Sequence, residues 1–555
     1  MRGFWFSLLL TSNVFALSEG FTPVAKTFNE AADIKVSVDL SSANGAHKIN
    51  SKFYGSQISN FVPNPSSSVM KGLGLGMIRI GGNLYDGFNW KNGFLYIPLD
   101  VPKKSISFEE FARYFKANDV EPIFQVNFLG RAVRKRLPED ETTPSGYVLR
   151  DFADESFAAD LVKHLNGSLG LGVKHFCMGN EPMQWMDTHI ETYPFEEPLT
   201  ADQYIDKYVS YALAMRKAQD EISGNANDIK LWGPEISISY YDWQTGNMTK
   251  DCEWTDIWGQ ISCHYGKNDE FDQFLPYMFH RLSEIEKDKK LNPRGYKLLD
   301  YASFHYYPNF RTEISDVDSI ITHENGKQKI QQILDHTRVL DDPGFTNTID
   351  ISSYRNFSPN ILGRMSKWMK QYYPDAKLAL SEFAVDSFDT SYGYHPIIRP
   401  LYMADIIGRL AGAGVSFFGR AFLNTYDPYK IPWVLIENDR TTPLYDLYAQ
   451  FTHNFVGSIL NVEVDSNKWV SVYASLKGED KKQITVVVVN KSPASQSVSI
   501  KIKGSSKEHP AVNIDQPGWS VRFYKIPARG KKIQHTTFGP SDLGIEADLF
   551  YLDHL

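Results

Sequence analysis

Val173-Lys174-His175-Phe176-Cys177-Met178-Gly179-Asn180-Glu181-Pro182 decides the fold of this chain. Residues 173–178 are mostly apolar and short, which reads as a buried strand, and a carboxylate follows directly at Glu181. A second stretch repeats the arrangement: residues 377–380 read as a strand, and Ser381-Glu382-Phe383 follows. Two carboxylates on separate strand ends are what retaining glycoside hydrolysis requires. One protonates the leaving oxygen while the other attacks the anomeric carbon, so the fold must bring them to about 5 Å.

Working outward, short apolar strand candidates recur at 53–58, 77–81, 122–128, 173–178, 229–233, 301–305, 378–381 and 415–419. Amphipathic stretches at 156–169, 201–222 and 361–372 lie between them. Strand–helix alternation on this scale predicts a parallel (β/α)8 TIM barrel, with its chemistry at the C-terminal ends of the strands. From residue 469 the pattern changes to alternating strands at 469–474, 483–489, 497–502 and 520–524, separated by polar turns, a β-sandwich signature. Residues 33–40 alternate apolar and polar and are expected to join that sandwich. The domain expectation is a signal peptide over 1–16, an N-terminal strand segment over 17–50, the catalytic barrel over 51–455 and the sandwich over 456–555.

A chain of 555 residues with 42% hydrophobic and 22% charged residues suits a globular protein of more than one domain. The net charge of −8 provides no basic stripe, which argues against a nucleic-acid partner. Aromatic residues make up 14% of the chain, and their faces suit stacking on sugar rings. Arg2, the apolar run from Phe4 to Phe15 and Val14-Phe15-Ala16 read as a secretory signal cleaved after Ala16, so a secreted or periplasmic protein is expected. No run reaches the ~18 apolar residues of a membrane span. Three cysteines cannot form a disulfide framework; Cys252 and Cys263 are placed to pair or to remain free, and Cys177 reads as a core residue.

Around the two glutamates other residues carry chemistry. Asn180 is placed to hydrogen-bond a sugar 2-hydroxyl. Arg79 is a cation inside an apolar strand and calls for a carboxylate partner, for which Glu382 is the candidate. Gly81-Gly82 lets backbone pass close to substrate. His305-Tyr306-Tyr307 ends the sixth strand, and Tyr306 is the expected donor to the nucleophile. Trp90 and Trp185 are the expected sugar platforms.

Gly179-Asn180-Glu181-Pro182-Met183-Gln184-Trp185 with Thr188-His189 and Tyr193-Pro194 resembles the acid/base region of glycoside hydrolase family 44. Arg79 with Gly81-Gly82-Asn83, Asn89-Trp90, Gly233-Pro234-Glu235, His305-Tyr306-Tyr307-Pro308, the segment from Val470 to Ser475, and Asn490-Lys491 extend the resemblance over most of the chain. It implies an endo-β-1,4-glucanase or xyloglucanase with Glu181 as acid/base and Glu382 as nucleophile. A β-glucan polysaccharide partner, a monomer and no catalytic cofactor are expected. Some members hold a structural calcium, for which this sequence offers no matching ligand set. Ser381-Glu382-Phe383 departs from the family's Thr-Glu-Tyr, and Asn438-Asp439-Arg440 stands where Asn-Tyr-Asp-Gly is usual. The Arg-x-Gly-Gly-Asn segment also resembles the arabinofuranosidases of family 51, so an arabinofuranosidase-like activity is one alternative. A catalytically silent polysaccharide-binding protein is another.

Overall fold

The computed structural model describes residues 22–23, 34–58, 63–94, 106–135, 147–182, 185, 199–237, 252–254, 261–308, 330–346, 359–385, 397–425, 434–465, 468–478, 483–504, 512–527 and 533–543. The expected signal peptide over 1–16 lies outside them.

Eight parallel strands close into a barrel: Tyr54–Ile58, Met77–Ile80, Glu121–Val126, His175–Met178, Lys230–Ser237, Tyr301–Tyr306, Lys377–Phe383 and Phe417–Ala421. The eighth pairs with the first, Phe418 opposite Tyr54 and Ala421 opposite Gln57, which removes both sheet edges. Helices such as Phe108–Ala117, Ala201–Ser223, Phe274–Lys287 and Ile361–Tyr372 return the chain between strands.

Alternation along each strand sorts the side chains. Ile78, Ile80, Phe124, Phe176, Met178, Phe304, Tyr306, Leu380 and Phe418 point outward into the core shared with the helices. Met77, Ile123, Cys177, Trp232, Ala379 and Phe417 point inward and form an apolar layer deep in the barrel. Trp232 stacks on Tyr301 there at 4.0 Å between ring centres. Two residues further along the strands the inward layer turns polar, with Arg79, Gln125, Ser303 and Ser381, all buried. The barrel thus carries an apolar plug beneath a polar mouth.

The strand Ile34–Asp39 joins the strands Gly457–Val464, Val470–Lys477, Gln483–Asn490, Gln496–Lys503, Val512–Gln516, Ser520–Pro527 and Gln534–Phe538 in one continuous sheet. The sheet folds over at Gly457–Val464, where Leu460 pairs with Ala474 and Asn461 with Asp39. Ile34, Val36, Val38, Ile484, Val486, Val488, Val498 and Ile500 fill the space between its two layers. Val487, Val489, Val521 and Phe523 point the other way, into the barrel's helical core. The run Val486–Val489 is therefore buried on both faces, which explains its unbroken apolar character. At this junction Asp405, on the helix Ile398–Gly412, accepts hydrogen bonds from Lys491 Nζ at 2.9 Å, Tyr473 Oη at 2.5 Å and Thr337. Elsewhere, Cys263 is disulfide-bonded and stands opposite Cys252 in a two-stranded ribbon, while Cys177 is free and buried. Among the described residues no helix is long and apolar enough to cross a membrane.

Candidate active site

Glu181 follows the fourth strand through Gly179, whose φ of +72° is open to glycine, and itself adopts a φ of +38°. This strained position is held from several sides. The Glu181 amide donates to the Glu235 carbonyl at 3.0 Å. Asp86 accepts from the Asn180 amide at 2.9 Å, Gln125 Nε2 at 3.0 Å and Trp185 Nε1 at 3.1 Å. Trp185 Nε1 also reaches the Asn180 carbonyl at 2.9 Å. Asn180 donates from Nδ2 to Asn83 Oδ1 at 2.6 Å.

Glu382 lies where the seventh strand shifts register. Phe304 pairs with Leu380, but His305 pairs with Glu382, so one residue is extra. Such a bulge re-aims side chains, and both Ser381 and Glu382 contact groups of the barrel mouth. Arg79 Nη1 donates to Glu382 Oε1 and Tyr307 Oη to Oε2 at 2.6 Å. Arg79 Nη2 donates to Asn180 Oδ1 at 2.9 Å, tying the Glu181 and Glu382 segments to one guanidinium. Burial opposes that charge, but Glu235 and Glu382 outweigh it and raise the Arg79 pKa.

His305 lies between the acids. Its Nδ1 is 2.8 Å from Glu181 Oε1 and 3.6 Å from Glu382 Oε2, and its Nε2 is 3.0 Å from Glu235 Oε2. Burial disfavours its cation, yet Glu382, Glu181 and Glu235 together push its pKa up to about 9. One donor atom each from Glu181, His305 and Glu382 lie within 4.8 Å of one another. Three such atoms are enough to begin a metal site, but Arg79 and Tyr307 already occupy both oxygens of Glu382. The set fits paired carboxylates better than a cation. The side chains of Glu181 and Glu382 remain 12% and 7% exposed, so both reach the mouth, while Glu235 is wholly buried beneath them.

The sequence reading placed Glu181, Glu382, Arg79, Asn180, Asn83 and His305 here, and the structure brings these six together. Two expectations are corrected. Tyr306 is not the donor to Glu382: its side chain points out of the barrel, and its hydroxyl meets Tyr402 Oη at 2.9 Å and His336 Nδ1 at 3.3 Å. Tyr307 takes that role, because inward positions on the sixth strand are 303, 305 and then 307. Trp185 is no sugar platform; it is buried and braces the Asn180 loop. Trp90 packs against Phe157 and His164, at 5.6 and 5.2 Å between ring centres, and donates to the Phe157 carbonyl. Asp86, Gln125, Ser303 and Ser381 are not among the site residues expected from the sequence, and Glu235 carries no role there. Counting by twos from Met77, Ile123, Tyr301 and Ala379 finds Gln125, Ser303 and Ser381, but nothing in the chain marks Asp86.

An eight-stranded barrel presenting two glutamates from its fourth and seventh strands has the arrangement that a glycoside-hydrolase barrel needs. Comparison with known proteins narrows the class. The model of glycoside hydrolase family 44 matches residues 130–310. "Beta-mannanase/endoglucanase A" of Caldicellulosiruptor saccharolyticus is 21% identical over 522 residues, 82% of this chain and 35% of that protein. "Endoglucanase A" of Paenibacillus lautus is 23% identical over 470 residues, 75% of this chain and 59% of that protein. The chain thus spans between a third and three fifths of the length of these relatives. The solved structure of a Paenibacillus polymyxa xyloglucanase from family 44 superposes with a TM-score of 0.60 at 18% identity, covering 91% of this chain and 99% of that one. These matches together make glycoside hydrolase family 44 the family that this chain resembles.

Proposed function

We propose that the chain is a secreted, retaining glycoside hydrolase that cleaves internal β-1,4 linkages of cellulose-type glucans, xyloglucan or both. One observation carries the reading: carboxylate oxygens of Glu181 and Glu382 lie within 4.8 Å of each other. Double displacement works with carboxyls about 5–5.5 Å apart, whereas inversion needs about 6.5–9.5 Å to seat a water between them. In the first step Glu382 attacks the anomeric carbon, the glycosidic C–O bond breaks, and the Glu181 proton passes to the leaving oxygen. In the second step Glu181 takes a proton from a water that displaces Glu382. Arg79 and Tyr307 aim Glu382, and Asn180 is placed for the sugar 2-hydroxyl. The names of the relatives, endoglucanase, β-mannanase and xyloglucanase, support a β-linked backbone as substrate.

A reducing-sugar assay on carboxymethylcellulose, xyloglucan, mannan, xylan and arabinan, with product lengths, tests the reading. Internal cleavage of a glucan with a β-anomer as first product is expected. Release of arabinose alone would point to the arabinofuranosidase alternative, and tight binding without new reducing ends to a binding protein. A first-formed α-anomer by proton NMR would refute retention. For export, N-terminal sequencing of the mature protein should begin at Leu17.

A further inference from the structure

A third carboxylate lies under the two at the mouth, and the double displacement leaves it without a task. Glu235 sits at a register shift of the fifth strand, between Pro234 and Ile236, with a φ of +56°. Its side chain is wholly buried, and four donors converge on it. Ser303 Oγ reaches Oε1 at 2.6 Å, while Ser381 Oγ at 2.7 Å, His305 Nε2 at 3.0 Å and Arg79 Nη2 at 3.3 Å reach Oε2. Burial pushes its carboxyl up, but Arg79 and His305 outweigh burial and hold it at about 2. A buried carboxylate this well supplied is ionised, and an ionised carboxylate only accepts. The hydrogen on His305 Nε2 is therefore fixed. Nδ1, facing Glu181, is the ring nitrogen at which a proton can come and go.

We propose that Glu235 is a positioning residue that sets the tautomer of His305, so that His305 Nδ1 and Glu181 share one exchangeable proton. The proposal rests on Glu181 being the acid/base. With the shared proton on Nδ1, the ring is a cation and Glu181 a carboxylate. With the proton on Glu181 Oε1, the ring is neutral, keeps its hydrogen on Nε2, and Glu181 is an acid ready to protonate the leaving oxygen. No electrons move in this exchange. When water later gives a proton to Glu181, the starting inventory is restored.

The surroundings leave this proton as the mobile one. Glu181, Glu235, Glu382 and the Tyr307 ring face His305. Arg79, His305, the Cys177 thiol and the Tyr204 and Tyr208 hydroxyls face Glu235. Burial pushes Cys177, Tyr204, Tyr208 and Tyr307 well up, so they stay neutral, and Arg79 stays charged.

The test is Glu235→Gln in the full chain, with His305→Gln used to assign the His305 ring signals in ¹⁵N-histidine NMR. In the wild type the spectrum should show the hydrogen on Nε2 and titration at Nδ1. In Glu235→Gln the His305 titration should move down by more than one pH unit, and the alkaline limb of kcat should move with it. The rate should fall about a hundredfold at pH 7 while KM stays within twofold, as when a tautomer is lost rather than a binding contact. Glu235→Asp keeps the charge with a shorter reach and should lie between the two. It carries the test if the glutamine variant does not fold. A wild-type His305 titration and pH profile in the folded variant, or a wild-type ring without hydrogen on Nε2, overturns the proposal. The NMR arms need no substrate. If the wild type cleaves no glycan, the hydrolase reading fails on its own, and the tautomer still decides the role of Glu235.

Discussion

Tyr307 donates its hydroxyl to Glu382 Oε2 at 2.6 Å, while Arg79 holds the other oxygen of the same carboxylate. Glu382 is thus fixed from two sides, one of them a neutral donor that can be removed without disturbing charge. Tyr307→Phe should lower kcat roughly ten- to hundredfold, since a hydrogen bond to a charged group contributes about 1.5–3 kcal/mol. Tyr306→Phe, one residue away and outside the barrel mouth, should leave kcat unchanged and cost about 1 kcal/mol of stability. Steady-state kinetics and urea unfolding on the two variants separate them. The reverse pattern would return the role to Tyr306.

The two glutamates should fail differently. Glu382→Ala should lose several orders of magnitude on every substrate, because the covalent route closes. Azide should then rescue turnover with inverted product. Glu181→Ala should still form the glycosyl-enzyme from an aryl glycoside with an acidic phenol, which needs no protonation, while glucan goes uncut. Equal loss of both substrates in that step of Glu181→Ala would undo the assignment of acid and nucleophile.

Stability should depend on pH through the same cluster. The pKa of His305 rises from 6.5 to about 9 on folding. Its stabilising contribution is therefore complete below pH 6.5 and lost as pH climbs through about 9. Glu235, lowered from 4.5 to about 2, contributes fully above pH 4.5 and loses its contribution as pH falls toward 2. A stability plateau between about pH 4.5 and 6.5 is expected, with an alkaline decline on the order of a few kcal/mol. Denaturant unfolding at pH 5 to 9 measures it. An unchanged alkaline decline in His305→Gln would show that His305 is not its source.

Asp405 should hold the barrel and sandwich together. Lys491 is buried at its Oδ2, and Arg409 and Lys491 outweigh burial to keep the Asp405 pKa far below the usual carboxylate range. Asp405→Ala leaves the Lys491 ammonium buried without that carboxylate and should cost about 3–5 kcal/mol. A drop in Tm with kcat retained at low temperature is the expected result. Equal losses of stability in Lys491→Met and in the double variant would support the pairing.

Much of the architecture was legible because strand burial writes itself into composition. The candidates at 77–81, 301–305 and 415–419 each overlap an observed barrel strand, since a parallel strand covered on both faces is largely apolar away from the mouth. Glu181 and Glu382 stood out because each follows such a run directly. Tyr307 was legible in principle: the period of two that sends Ser303 and His305 inward also sends Tyr307 there and Tyr306 out.

What the sequence by itself determined is this set of runs and their order, together with the two carboxylates that end the fourth and seventh. A two-residue period and the apolar cost of water are local properties, and local properties can be read along a chain. What only the tertiary structure decided is which polar groups meet. Asp86 bracing Asn180, Glu235 beneath His305, and Arg79 shared among Glu382, Asn180 and Glu235 join residues from different strands and loops. Their meeting depends on barrel closure and on register shifts at Glu235 and Glu382. Trp185 shows the converse, since an aromatic ring fits a core or a sugar equally well until its neighbours are in place.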